Sequence, residues 1–377
     1  MSMKIVSDFI SHAKNMPKHP AVVERNKVTT YGEMLEIANR VSNYLTKNFA
    51  RPRVVIDLPQ SADAYAVMFG VLMSGGCYSP LNFDAPHYRK KLIVERFKPD
   101  IVICHDIEEC TAEIDLNYVS LESIPLTNGV VPNYENGPAY VMFTSGSTGI
   151  PKGVSIPRSA LDHYIQWAVS TFEITPADRL SQHPNLGFDL SVLDIFMGLS
   201  AGATLYPLTT TADRIFPVKF IHENQLTVWS SVPSVIDLFN KMPNVTPSHL
   251  SSLRLLSFCG EPLLARHLDA LFCLAPDAAV QNTYGPTEAT VSCTHVAMNR
   301  YNYKDFCHGE KVSLGSTIGE MSIHLHNVDV NGIGEIVICG PQVASEYWND
   351  GKKTKASFFE RSRGEILERC YLTGDLG

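Results

Sequence analysis

Apolar and polar positions follow two different periods along this chain. The pairs Ile5/Phe9 and Val6/Ile10 recur four residues apart, which predicts an amphipathic helix over residues 1–14. Ser7 and Asp8 interrupt its apolar part, so the segment does not read as a signal peptide. Thr30-Tyr31-Gly32-Glu33 has the spacing of a capping box, and Met34, Ile37, Ala38, Val41, Tyr44 and Leu45 follow at helical intervals. Val54-Val55-Ile56 and Ile101-Val102-Ile103 are short β-branched runs of the kind buried in parallel sheets. Between them a helix starts near Ser61 and stops at Gly75-Gly76. A loop rich in Pro, Gly and Asn covers residues 123–137, and an apolar strand follows at 139–143.

The alternation then resumes. Residues 228–232 read as a strand, with Pro233 opening the next helix. Residues 253–258 form a strand that runs into Cys259-Gly260-Glu261-Pro262, and 264–272 are helical in pattern. Past about residue 310 the texture changes to short strands and turns, such as 334–340. The reading is an α/β fold: two doubly wound α/β subdomains packed together, plus a small distorted β barrel. The expected divisions are 1–180, 181–308 and 309–377.

Bulk properties narrow the function classes. The 377 residues exceed what one core serves, and 45% hydrophobic with 19% charged residues is ordinary for a soluble protein. The net charge of −8 disfavours nucleic acid or an anionic membrane as the main partner. No apolar run reaches the roughly 20 residues of a membrane span. Nine scattered cysteines without CxxC or zinc spacing predict reduced thiols and a cytoplasmic location.

The candidate chemistry begins at Phe143-Thr144-Ser145-Gly146-Ser147-Thr148-Gly149-Ile150-Pro151-Lys152-Gly153. Three glycines, four hydroxyl residues and one lysine suit a phosphate-holding loop. Pro151 before Lys152 excludes a Walker A loop. A bland surface loop is the alternative for this segment alone.

Further segments follow in order: Phe188-Asp189-Leu190-Ser191, Asn282-Thr283-Tyr284-Gly285-Pro286-Thr287-Glu288, Gly334-Glu335-Ile336-Val337-Ile338-Cys339-Gly340 and Tyr371-Leu372-Thr373-Gly374-Asp375. Thr30 to Met34 and Gly75 to Leu81 precede them. Together they resemble the adenylate-forming enzymes, which include amino-acid adenylation domains, acyl-CoA synthetases and luciferases. Phe258-Cys259-Gly260-Glu261, Glu288-Ala289-Thr290-Val291 and Val228-Trp229-Ser230-Ser231 are similar to D-alanine–carrier protein ligases. A glycine-loading relative in lipid A modification is a further match of this kind.

The resemblance implies a set of roles. Thr144, Ser145, Gly146, Ser147, Thr148, Gly149 and Lys152 would embrace the ATP phosphates. Thr287 would meet the α-phosphate and Glu288 would hold Mg²⁺, a hard cation suited to carboxylate and phosphate oxygens. Tyr284 would offer a face to adenine, Asn282 an amide to its edge, and Gly260, Glu261 and Thr283 the neighbouring backbone. Asp375 would accept the ribose hydroxyls, although Leu372 stands where the family usually has Arg or Lys. Asp189 would pair with the ammonium of an amino-acid substrate; the alternative is a helix cap near Ser191. Leu190, Leu193, Ser230, Ser257, Cys259, Gly285, Val291 and Ser292 would wall the pocket. Cys259 and Thr283 would shorten it and favour glycine or alanine; the alternative for Cys259 is an ordinary buried thiol.

The expected activity is ATP-dependent formation of a small aminoacyl-AMP, followed by transfer to the phosphopantetheine thiol of a carrier protein. The rivals are an acyl-CoA synthetase and a non-catalytic nucleotide-binding module. The family's C-terminal lid, with an essential lysine, is expected to be absent from this chain, and the fragment to be impaired without it.

Overall fold

The computed structural model describes residues 3–108, 116–125, 136–144, 149–242, 244–364 and 366–377. The capping box forms as expected: the Thr30 side chain accepts from Glu33 N–H, the Glu33 carboxylate from Thr30 N–H, and the helix Tyr31–Asn48 starts there. The first amphipathic pattern becomes the helix Lys4–Asn15, with Ile5, Val6, Phe9 and Ala13 buried. Both β-branched runs are parallel strands, Arg53–Asp57 and Ile101–Cys104, each facing the other in register.

Among the described residues two large sheets stand out. The seven-stranded sheet is centred on Arg53–Asp57, Cys77–Pro80 and Pro138–Thr144. The nine-stranded sheet runs through Arg179–Gln182, Val228–Ser231, Leu255–Phe258 and Ala279–Tyr284. Two almost wholly apolar helices, Ala62–Met73 and Leu190–Ser200, are buried in the same core. Phe69 meets Phe196 there with ring centroids 5.1 Å apart, and Phe9 stacks on Phe69 at 4.2 Å. The third unit is a four-stranded antiparallel sheet of Ser322–His326, Glu335–Cys339, Ile366–Leu376 and Phe358–Arg363. It occupies the place of the expected small barrel.

Two features depart from the sequence reading. The strands Pro20–Glu24 and Lys27–Thr30 join the nine-stranded sheet, where Val22 pairs with Leu205. Sheet membership therefore does not follow a division at residue 180. The thiols are also not all reduced: Cys339 and Cys370 form a disulfide. They lie directly opposite each other on neighbouring antiparallel strands, both fully buried. An odd cysteine total says nothing against one such pair. Cys77, Cys259, Cys273, Cys293 and Cys307 are free, and Cys110 lies outside the described residues. No helix among the described residues is long and apolar enough to cross a membrane.

Candidate active site

Parallel strands present their carboxyl ends on one edge of a sheet, and ligand crevices gather there. Two adjoining cavities occupy this edge of the nine-stranded sheet. One, of about 580 Å³, is lined by Asp189, Leu190, Cys259, Val291 and Thr287. The other, of about 460 Å³, is lined by Thr283, Tyr284 and Asp375. Gly260, Glu261, Gly285 and Pro286 border both. Gly260 takes a φ of 92°, in the region that favours glycine. A Cβ on Gly285 would lie 2.5 Å from the Ser292 Cα, so only glycine lets the two chain segments approach this closely.

Asp189 occupies the N-cap position of the helix Leu190–Ser200, yet its side chain makes no capping hydrogen bond. The capping alternative therefore fails. Burial pushes its carboxyl up to about 6; the Thr287 hydroxyl opposes that and the charge of Glu288 adds to it. Among the described residues no ion pair forms with this carboxylate, which lines the cavity of about 580 Å³.

A strained turn carries Val291, one of the cavity's lining residues. Thr290 and Val291 have φ of 55° and 69°, unusual for β-branched residues. Gln342 holds this turn, donating to the carbonyls of Ala289 at 3.3 Å and Ser292 at 2.8 Å. The Thr290 hydroxyl donates back to the Gln342 carbonyl at 2.6 Å. The Val291 carbonyl then receives the Cys259 thiol at 3.7 Å, and burial pushes that thiol up to about 11.

Four expected wall residues stand one layer back. Leu193, Ser230, Ser257 and Ser292 are buried and do not line the cavity. Cys259 and Val291 cover that layer from the cavity side. Ser292 instead hydrogen-bonds the Tyr164 hydroxyl at 3.1 Å. Asn282 is buried and donates to the Ser313 carbonyl at 2.9 Å. Thr283 reaches the nucleotide-side cavity while its hydroxyl donates to the Phe258 carbonyl at 3.2 Å.

The phosphate-loop residues Ser145, Gly146, Ser147 and Thr148 lie outside the described residues. Thr144 and Lys152 flank them as paired ends of two antiparallel strands. Lys152 Nζ donates to Glu288 Oε1 at 2.6 Å. Burial works to raise the Glu288 pKa, but the Lys152 ammonium outweighs it and the net shift is downward. Gly149 has φ of 77°.

The wall also holds residues that sequence reasoning missed. His183 and Arg214 line the Asp189 cavity. Burial, aided by Arg214, depresses His183 to about 4, so it is neutral at pH 7. Lys311 and Leu314 line the second cavity. No local pattern marks any of them.

A model of the AMP-binding enzyme family matches residues 9–348, most of the chain. The chain belongs to the AMP-binding enzymes. The resemblance read from the motifs is thus borne out. D-alanine–D-alanyl carrier protein ligases of Listeria welshimeri and Lactiplantibacillus plantarum are 28% and 29% identical to it. Those alignments span all of this chain and 77% and 76% of the relatives. The Vibrio cholerae adenylation domain AlmE, solved with glycyl-adenosine-5'-phosphate, superposes with a TM-score of 0.85 at 27% identity. That match covers 100% of this chain and 77% of AlmE. As an AMP-binding enzyme, this protein is an adenylating ligase that uses ATP.

Proposed function

We propose that the protein activates glycine or alanine as an aminoacyl-adenylate and passes the aminoacyl group to a carrier-protein phosphopantetheine thiol. The observation that carries this reading is Asp189, an uncapped carboxylate with no ion pair among the described residues, in the cavity beside the nucleotide-side cavity. An ammonium group satisfies it, whereas acetate or a fatty acid would leave a costly unpaired charge. The names of the ligase relatives and the glycyl-adenylate bound to AlmE support the same substrate class.

In the reaction the amino-acid carboxylate attacks the α-phosphorus of ATP, and the bond to pyrophosphate breaks. Asp189 orients the ammonium end, so the carboxylate points toward the nucleotide. Lys152 supplies positive charge to the phosphates, and Asp375 takes the ribose hydroxyls. Glu288 fits a divalent cation: it is buried and kept anionic, and no cluster of three His, Cys, Asp or Glu competes for the ion among the described residues. Mg²⁺ held there would neutralise charge on the phosphates.

The test is a panel of sulfamoyl-adenosine analogues carrying glycyl, D-alanyl, L-alanyl and acetyl groups, read by calorimetry beside pyrophosphate exchange. The aminoacyl analogues should bind much more tightly than the acetyl one. Equal affinity for both would favour an acyl-CoA synthetase and remove the amino-acid reading.

A further inference from the structure

Glu288 has a second partner besides Lys152. The Tyr347 hydroxyl donates to the same oxygen, Oε1, at 2.7 Å. The Tyr371 hydroxyl lies 3.1 Å from the Tyr347 hydroxyl. A phenol has one proton to give, so with Tyr347 committed to the carboxylate, Tyr371 is the donor in that pair. The Tyr347 ring also serves cations: Lys152 Nζ lies 5.1 Å and Lys353 Nζ 5.0 Å from its centroid.

The backbone ties this phenol to all three parts of the site. Tyr347 pairs with Val154 on the strand that begins at Lys152, and Trp348 N–H donates to the Gly153 carbonyl at 2.7 Å. Ala344 N–H donates to the Glu288 carbonyl at 2.8 Å. Tyr371 sits on the strand Ile366–Leu376, which carries Asp375.

Lys152 cannot serve Glu288 and the nucleotide phosphates fully at once. When it turns to phosphate, Glu288, only 3% exposed, gives up the ammonium for the divalent cation it would hold, and its carboxylate must keep its place through that exchange. A buried carboxylate that lost its donors during the exchange would be strongly disfavoured and would swing out of place. Tyr347 is the donor that stays.

We propose that Tyr347, backed by Tyr371, is a positioning residue for the ATP half of the reaction. Its hydroxyl holds the Glu288 carboxylate in place while Lys152 moves between Glu288 and phosphate, and its ring flanks the ammonium. The inference rests on the nucleotide roles in the proposed function and is independent of which acid is activated.

The test compares Tyr347→Phe, which keeps the ring and loses the hydroxyl, with Tyr347→Leu, which loses both. ATP binding is titrated by calorimetry across a Mg²⁺ series. A glycyl sulfamoyl-adenosine, which lacks the β- and γ-phosphates, serves as control, with melting temperature measured alongside. Tyr347→Phe should weaken ATP binding in saturating Mg²⁺ by about tenfold or more, the scale of one hydrogen bond to a charged group. It should also raise the Mg²⁺ needed for half-saturation, while the control ligand hardly changes. Tyr347→Leu should lose more. Tyr371→Phe should show a smaller loss with the same selectivity, and it serves if the Tyr347 variants fold poorly. An unchanged Mg²⁺ dependence, or equal loss of both ligands, overturns the proposal. A wild-type chain that fails to prefer aminoacyl over acetyl analogues would count against the amino-acid function and leave this ATP comparison intact.

Discussion

The Tyr284 hydroxyl donates to Asp375 Oδ2 at 2.8 Å, a bond that crosses from the nine-stranded sheet to the four-stranded one. Asp375 itself is exposed, so in the free protein Tyr284 occupies part of the acceptor capacity meant for ribose. Asp375→Ala should weaken AMP binding by about 1.5–3 kcal/mol, the value of hydrogen bonds to a charged acceptor. Tyr284→Phe keeps the ring and should cost little. 2′,3′-Dideoxy-AMP should bind wild type and Asp375→Ala alike. Calorimetry on the four combinations reads the coupling directly. A dideoxy nucleotide that still loses affinity in Asp375→Ala would place the ribose elsewhere.

Asp189 predicts two pH effects of opposite sign. Thr287, Glu288, Tyr140, Tyr164 and Cys259 influence it, and Arg214 and the neutral His183 line the same cavity. Its folded pKa, about 6, is raised above the ordinary 3.8. Its stability contribution is therefore present at low pH and lost as pH rises through about 6. Asp189→Asn should melt higher than wild type at pH 8, and the gap should close toward about pH 4. Binding runs the other way. Affinity for a glycyl analogue should rise through pH 6, because the ionised carboxylate is the partner of the ammonium, and the acetyl analogue should show no rise. Asp189→Ala should erase the preference for glycyl over acetyl, a loss of about a hundredfold or more. A flat pH profile for the glycyl analogue would remove Asp189 from recognition.

Local signals were readable from the chain alone. Thr30 and Glu33 announce their helix because both partners of the capping box lie within one turn. The strand at 139–143 and the residues Asp189, Cys259 and Tyr284 are legible because motif and apolar run coincide. What was not legible depends on long-range pairing. Nothing in residues 20–30 says that Val22 will lie beside Leu205. Cys339 and Cys370 meet only because two strands adopt one register. Tyr347 reaches Glu288 across 59 positions, and its neighbourhood carries no chemical pattern of its own. Ser230 and Ser257 share a sheet face with the pocket, and only the side chains in front of them decide that they stand one layer back.

That layering makes a sharper prediction for Cys259. The Ser257 hydroxyl has no hydrogen-bond partner among the described residues, and Ser230 lies beside it on the adjacent strand. Cys259→Gly should open the short cavity toward them. The gain should favour a hydroxylated side chain over an apolar one of equal size, by about 1–3 kcal/mol, as for one group in a shaped pocket. Seryl and 2-aminobutyryl sulfamoyl-adenosines compared against the variant give the measurement. Equal gains for both would mean that the opened space is apolar, and no gain would mean that the thiol does not limit the cavity.

The disulfide allows a test of how the third sheet contributes to the site. Cys339 and Cys370 close a loop with a sequence separation of 31 residues. Constraining a loop of that size in the unfolded chain is worth about 2–4 kcal/mol. The Cys339→Ala/Cys370→Ala double variant should therefore melt lower than the oxidised protein, and a reductant that reaches the pair after unfolding should lower the wild-type midpoint by a similar amount. Both sulfurs are fully buried, so reductant added to the folded protein should act slowly. Tyr371 follows Cys370 directly and Asp375 lies five positions on along the same strand. Nucleotide affinity should fall less than stability does, since the strand keeps its hydrogen bonds to Glu335–Cys339 without the bridge. Thiol counting under denaturing conditions, with and without prior reduction, comes first. Nine free thiols in the unreduced protein would show that the pair is not oxidised, and the stability difference should then vanish.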